Sequence, residues 1–475
     1  MTLRGAGVRP PLVVIALIGG FSLLLGPAIA YGGPVAFGLL IGLPLLAWLA
    51  LLRPGLAVGG LWLAALNGIP LLNLQSGVGQ FKPTDLATIA IVLMAGRNLL
   101  VTRRPMARLP TGLSVACALF GLWWMITFFR SLSAGIPPVD AFFFGRDFLS
   151  LVILIPAAWV VLSEPKAWRE CVCVILAGTG IYSLAYIGGS LGLISASSFT
   201  HPTLVLNFGS VQRIYTPMND LVIAVAVFST AVVVTTRANR ATPLVALLAA
   251  TTLVAFFLQL TRANYLSMAL GALIAIVIAL TRGAELRRVL ARRASVALAI
   301  VGVFFFGVIG LGSRGVPTSV VSQRISSGLA NFNEGSGTVA YRVKLYHRMF
   351  SILGPDWPVG LGFLHPKDRY FPDLPEGSIR NSDVGLMNAV MTIGVLGLAL
   401  LLAVFLTAAR HVAKTRAQRP PWLVVGLFAW LTVVVAGSPT LVTLFSATGI
   451  LSTALTLVLC CVDMPSMRMP SFGVR

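Results

Sequence analysis

Long apolar runs separated by short basic clusters dominate the pattern along the chain. A helix that crosses a bilayer needs about 20 mainly apolar residues. Fourteen runs approach that length, near residues 11–31, 34–52, 55–74, 84–101, 110–130, 146–162, 169–193, 219–236, 243–260, 264–281, 294–311, 384–407, 421–437 and 441–462. The pattern predicts an all-α polytopic membrane protein of about 14 transmembrane helices with one large periplasmic loop. It divides the chain into helices 1–11 over residues 1–311, a loop domain over 312–383, and helices 12–14 over 384–475. The stretch PAIA at 27–30 ends in the Ala-x-Ala pattern of a signal-peptide cleavage site. The apolar run before it is long for such a segment, and YGGPVAF continues straight into a second span, so the first run reads as a retained helix.

Within the long loop, TVAYRVKLYHRMFSIL has helical apolar spacing at Val343, Tyr346 and Phe350, with Leu345, Met349 and Ile352 beside them. Gly354 and Pro355 end that helix. The following DWPVGLGFLHPKDRYFPDLPEG, rich in Gly, Pro and aromatic residues, reads as irregular loop. The loop holds eight basic and six acidic residues, so its net charge is slight.

Charge fixes the expected orientation, because short cytoplasmic loops collect Lys and Arg. With the N-terminus inside, the cytoplasmic segments hold 21 basic residues. Apart from the long loop, the outward ones hold only Lys82, Arg130, Arg146, Arg213 and Arg262. Both termini are therefore expected in the cytoplasm, with residues 312–383 on the opposite side. Composition agrees: 57% of residues are hydrophobic, 10% are charged and mean hydropathy is +0.92, more apolar surface than a soluble domain buries. A net charge of +21 could suggest nucleic acid. The basic residues sit in clusters between apolar segments, however, with no single basic face, so nucleic acid is not an expected partner. The five cysteines fall in or at the ends of apolar runs and match no metal or redox spacing.

Two outward arginines stand out. Arg262 lies between two apolar runs in FLQLTRANYLSMALGALIAIVIALTRG, with no carboxylate within ten residues, and Arg213 lies in VQRIYTPMND just before a span that begins with Asn219 and Asp220. A charge near membrane depth is expensive and often marks a substrate pathway; snorkelling to lipid phosphate at the interface is the alternative. Arg342, Lys344 and Arg348 on the loop helix share the outward side. Guanidinium groups grip phosphate oxygens in a planar two-pronged fashion, so such a cluster suits a diphosphate.

These stretches resemble the O-antigen polymerase and O-antigen ligase superfamily. LTRANYLSMALGALIAIVIAL is similar to its arginine-then-span signature and RIYTPMND to its arginine and Pro-x-Asn element. YRVKLYHRMF, then GPDWPVGLGF, then NSDVGLMNAVMTIGVLGL, resembles its outer-loop pattern, and the likeness covers residues 205–405. It implies a GT-C-like enzyme of the bacterial inner membrane that transfers glycans from undecaprenyl diphosphate at the periplasmic face. Membrane lipids, a flippase and a chain-length regulator are the implied neighbours. No metal or other cofactor is implied, and His201, His347, His365 and His411 lack ligand spacing. Carried across residue by residue, the resemblance gives Arg213, Arg262 and Arg342 as diphosphate ligands, supported by Asn219, Asp220, Arg348 and Asn381.

Where ligases of the superfamily show His-Asn, this chain has Asn381-Ser382-Asp383. Asp383 is therefore the first candidate base, with helix capping as its alternative role. His347 is the second candidate, against a plain surface position on the loop helix, and Asp220 either orients Arg213 or caps its own helix. The same departure favours a polymerase that joins lipid-linked repeat units over a ligase that passes a finished chain to lipid A-core. A lipid-linked oligosaccharide flippase is the reading from another class; such proteins often show repeated halves and midplane charges, and neither is visible in the sequence.

Overall fold

A computed structural model describes residues 51–68, 82–102, 109–199, 205–208, 211–236, 242–259, 261–280, 337–363, 385–439 and 446–462. The candidate spans at 11–31 and 294–311, nearly all of 34–52, and the boundaries expected at 311 and 383 lie outside them. So do Asn381 and Asp383.

Among the described residues the chain forms α1 (Pro54–Ala65), α2 (Pro83–Thr102), α3 (Thr111–Ser133), α4 (Pro138–Leu162) and α5 (Pro165–Ser190). A short hairpin of β1 (Val205–Phe208) and β2 (Val211–Ile214) follows. Then come α6 (Asn219–Thr235), α7 (Thr242–Leu258), α8 (Arg262–Leu280), α9 (Gly337–Leu353), α10 (Gly385–Lys414), α11 (Pro421–Gly437) and α12 (Ala447–Cys461). Four of these, α3, α4, α5 and α10, are long and apolar enough to cross a membrane, and several shorter apolar helices accompany them. Large apolar side chains point outward, Leu93 at 68% exposure, Leu100 at 81% and Ile181 at 71%. Such surfaces suit hydrocarbon, as in a multi-pass membrane protein.

Local chemistry explains the starts. Pro54, Pro138, Pro165 and Pro421 sit in first turns, where a missing N–H forfeits no intrahelical bond. Ser446 caps α12 by accepting the Gly449 N–H at 3.0 Å. Hydroxyls inside the apolar helices, such as Thr127, Ser229 and Thr252, donate to carbonyls four residues back and so stay satisfied without water.

Helix α4 occupies the middle of the bundle, packed on α2, α3 and α12. On one flank α1, α5, α7, α6, α11 and α8 pack in succession; on the other α3 lies against α10. α1 and α5 run in the same direction, with Gly55 against Ala167 and Gly178 against Leu63. At one end Arg53 pairs with Glu170 at 2.6 Å, and Arg419 donates to the last carbonyls of α12, those of Cys460 and Cys461, at 2.5 and 2.8 Å. That is a favourable place for a cation, because C-terminal carbonyls have no helical partners. The start of α8, the end of α11 and the start of α10 meet at the other end.

The all-α expectation holds, with twelve helices among the described residues. A small element is added to it: VLNFGSVQRI forms an antiparallel pair in which Val205 faces Ile214, Leu206 faces Arg213 and Asn207 faces Gln212. Two other expectations change. Helix α4 begins at Pro138, so Arg146 is no loop residue but lies two turns inside a helix, 8% exposed. In α9 the buried stripe is Leu345, Met349 and Leu353, spaced four apart, while Val343 and Phe350 are each half exposed. The apolar residues of that helix are broad enough to offer two stripes, and the one facing α10 is buried.

Helix α10 is broken at Gly394, whose φ of 70° and ψ of 176° suit glycine alone. The break has its own hydrogen-bond partners in the GLGF segment. The Val395 and Leu396 N–H groups donate to the carbonyls of Trp357 and Pro358, at 3.1 and 3.0 Å. In return the Met391 and Thr392 carbonyls accept from Leu361 and Gly362, at 2.7 and 3.1 Å, and the Ile393 carbonyl accepts from Trp123 Nε1 at 2.8 Å. Five backbone groups at the kink are thus met by protein, as irregular backbone at membrane depth requires. Phe363 then inserts against Trp124 and Gly145 and is fully buried.

Candidate functional site

The site end of the bundle is organised by the turn between α7 and α8. Asn264 Nδ2 donates to Gln259 Oε1 at 3.1 Å, Thr261 Oγ1 to the Gln259 carbonyl at 3.2 Å, and the Tyr265 hydroxyl to the Phe257 carbonyl at 2.5 Å. These bonds hold the turn tight, and Arg262 is the first residue of α8. The hairpin docks on this turn. Arg213 Nη2 donates to Thr261 Oγ1 at 3.0 Å, and its guanidinium lies over the Tyr215 ring at 4.0 Å. A bond to Thr261 brings Arg213 beside the residue next to Arg262, although 49 positions separate the two arginines.

The hairpin is itself anchored. The Tyr186 hydroxyl donates to the Ile214 carbonyl at 3.0 Å, and the Tyr182 hydroxyl meets Thr216 Oγ1 at 2.5 Å. Thr216 Oγ1 in turn donates to Asn219 Oδ1 at 3.2 Å. Asp220 does not cap α6, since the cap position is Met218. Its side chain instead lines a small cavity with Asn264, Gly437, Gly449, Ser452 and Thr453.

That cavity links the arginine turn to the end of α11, and the next residues reach α9 and α10. The Pro439 carbonyl accepts from the Tyr346 hydroxyl at 2.7 Å, and the Ser438 carbonyl accepts from the Leu386 N–H at 2.9 Å. Arg342 lies one turn before Tyr346 on α9. Burial pushes the Tyr346 phenol above its usual range, and the Arg342 charge pulls it partly back. Arg213 and the start of α8 are thus in direct contact, whereas Arg342 joins the same end through the turn at 438–439. His347 and Arg348 are exposed on α9. Helix α10 starts at Gly385, two residues beyond Asp383.

The other basic residues expected to face outward are engaged elsewhere. Lys82 Nζ lies 3.0 Å from Asp147, Arg146 3.1 Å from Asp85, and Arg130 2.7 Å from Asp356. Arg130 also donates to the Gly360 carbonyl, fastening the GLGF segment to α3. Sequence reasoning missed Gln259, Thr261, Asn264 and Tyr215, the residues that shape the arginine turn. The Gly-Ser between VLNF and VQRI was the available signal for the hairpin.

Residues 245–402 match the protein-family model described as O-antigen ligase. The match covers a third of the chain, from α7 through most of α10, and so includes Arg262, Arg342 and the GLGF segment but not the hairpin with Arg213. No curated protein matches the chain.

Proposed function

We propose that the protein is a glycosyltransferase that moves a glycan from a polyprenyl diphosphate carrier to a hydroxyl acceptor at the outer face of the bacterial inner membrane. The observation that carries this reading is the bond from Arg213 to Thr261. It sets one arginine beside the helix start that bears another, at the edge of the segment similar to O-antigen ligases. In the reaction the bond from the anomeric carbon to the diphosphate oxygen breaks and a bond to the acceptor oxygen forms. Arg213, Arg262 and Arg342 neutralise the departing diphosphate, and Asp383 takes the acceptor's proton, with His347 as the second candidate. Asn219 and Asp220 hold the base of the hairpin and the cavity wall behind it.

A polymerase is the first reading, because Asn381-Ser382-Asp383 stands where ligases show His-Asn. The description of the matching family model favours the ligase as a second reading. Purified protein in lipid nanodiscs, given lipid-linked repeat units alone, separates them. Laddered products support the polymerase, and transfer only after lipid A-core is added supports the ligase. No transfer under either condition would overturn both.

A further inference from the structure

The hairpin has two chemically distinct faces. Side chains of facing residues in an antiparallel pair lie on one side, and successive residues alternate. Arg213 and its partner Leu206 therefore lie on the face that meets the α7–α8 turn, and Asn207 and Gln212 lie on the opposite face. That second face forms one wall of an open groove of about 350 Å³. Val205, Asn207 and Gln212 line the wall, and Ile194, Ser195 and Ala196 line the other side.

Both walls are fixed. Gly192, at φ 74°, turns the chain at the end of α5, and the Leu193 and Ile194 N–H groups both bond to the Gly188 carbonyl, at 2.8 and 3.2 Å. Ile214, on the groove face of β2, is buried against Gly189 and tied through its carbonyl to Tyr186. The groove is thus preformed, and its volume falls within the range of small-molecule sites, about 300–1,000 Å³.

Its chemistry is neutral and hydrogen-bonding. No side chain among its described lining residues is charged. Two carboxamides offer both donors and acceptors, Ser195 adds a hydroxyl, and Ile194 and Val205 add apolar surface. An uncharged molecule with many hydroxyls and flat C–H faces, a pyranose, fits that set better than an anion or an acyl chain. We propose that this groove is a subsite for the glycan of the lipid-linked donor, with the hairpin as the partition between sugar and diphosphate. Gln212 and Arg213 are consecutive but point to opposite faces, so a donor held at both passes round the edge of the hairpin, with a sugar further along the glycan in the groove. The identity of the donor rests on the function proposed above; the neutral glycan groove does not depend on the arginines.

The test measures binding to protein in nanodiscs of three lipids: undecaprenol, undecaprenyl diphosphate, and the lipid-linked glycan extracted from native membranes. Wild type is expected to bind the glycan-bearing lipid more tightly than the bare diphosphate. In Asn207→Ala/Gln212→Ala that preference falls about tenfold, the size expected for two lost hydrogen bonds, while affinity for undecaprenyl diphosphate stays unchanged. Unchanged diphosphate binding also reports that the hairpin is folded. The milder Gln212→Met variant, which keeps the side-chain length and neutrality but removes the hydrogen-bonding amide, should show the same selective loss. A glycan preference that survives in both variants, or one absent from wild type that still distinguishes diphosphate from undecaprenol, overturns the groove. A wild type that favours the glycan but not the diphosphate keeps the groove and overturns the arginine site.

Discussion

Gly394→Ala tests whether the broken α10 is held open by the GLGF segment. At φ 70° and ψ 176° an alanine enters a region reserved for glycine, at a cost of about 1–3 kcal/mol. Its Cβ would also lie 2.5 Å from Val359 Cα and closer still to the Pro358 carbonyl, which is backbone and cannot swing aside. Relief requires the two segments to separate, and four cross-segment hydrogen bonds join them at that point. Losing two or three of these at a net of about 0.5–1.5 kcal/mol each brings the total to about 2–7 kcal/mol. In detergent the variant should unfold about 2–7 °C below wild type, and transfer activity should fall with it, because α10 begins two residues after Asp383. Gly96→Ala is the matched control: the position is helical, nothing lies within 4 Å of the added Cβ, and its melting temperature should match or exceed wild type. If Gly394→Ala melts with wild type, the reasoning about the break is wrong.

Arg130→Ala removes both the Asp356 pair and the bond to the Gly360 carbonyl, and should cost about 2 kcal/mol; Asp356→Ala, which leaves the Gly360 bond, should cost under about 1 kcal/mol because the pair is partly exposed. Thermal scans that reverse this order refute the fastening role. Arg213→Lys keeps the charge but not the two-pronged geometry or the ring stacking, so initial-rate assays should show most of the activity lost at normal expression. Asp383→Asn should slow transfer by roughly 10²- to 10⁴-fold if the carboxylate accepts the proton, whereas near-normal glycan ladders would assign it to capping. A cysteine at Ser336 in a cysteine-free background should react with an impermeant reagent from outside intact cells; reaction only after the membrane is opened would reverse the topology.

The periodic part of the fold was legible because one apolar run makes one helix. Every candidate span that falls on described residues meets a helix, and α9 ends where Gly354 and Pro355 said it would. The hairpin was legible in principle from the Gly-Ser between two short alternating runs, but strands of four residues carry too little periodicity to compete with the neighbouring spans. The GLGF splice was not legible. Its glycines announce unusual backbone, yet nothing in the sequence says that the partner of residues 357–362 is a kink more than 30 positions away.

Charge pairing in this chain is long-range. Sequence spacing singles out arginines lacking a nearby acid, but the pairs that form span 65 residues for Lys82 and Asp147 and 226 for Arg130 and Asp356. The acid nearest Arg130 in sequence, Asp140, is not the one it pairs with, and only packing distinguishes a structural clamp from a candidate ligand. The clamp residues face carboxylates. Arg213 meets a threonine hydroxyl and a tyrosine ring, groups that orient its guanidinium. An arginine meant to hold helices together gains from an acid beside it, since the pair offsets its own desolvation. Arg213, carried on a strand that is pinned from behind by Tyr186, is aimed at the α7–α8 turn by its bond to Thr261, a placement that no sequence neighbour of either residue announces.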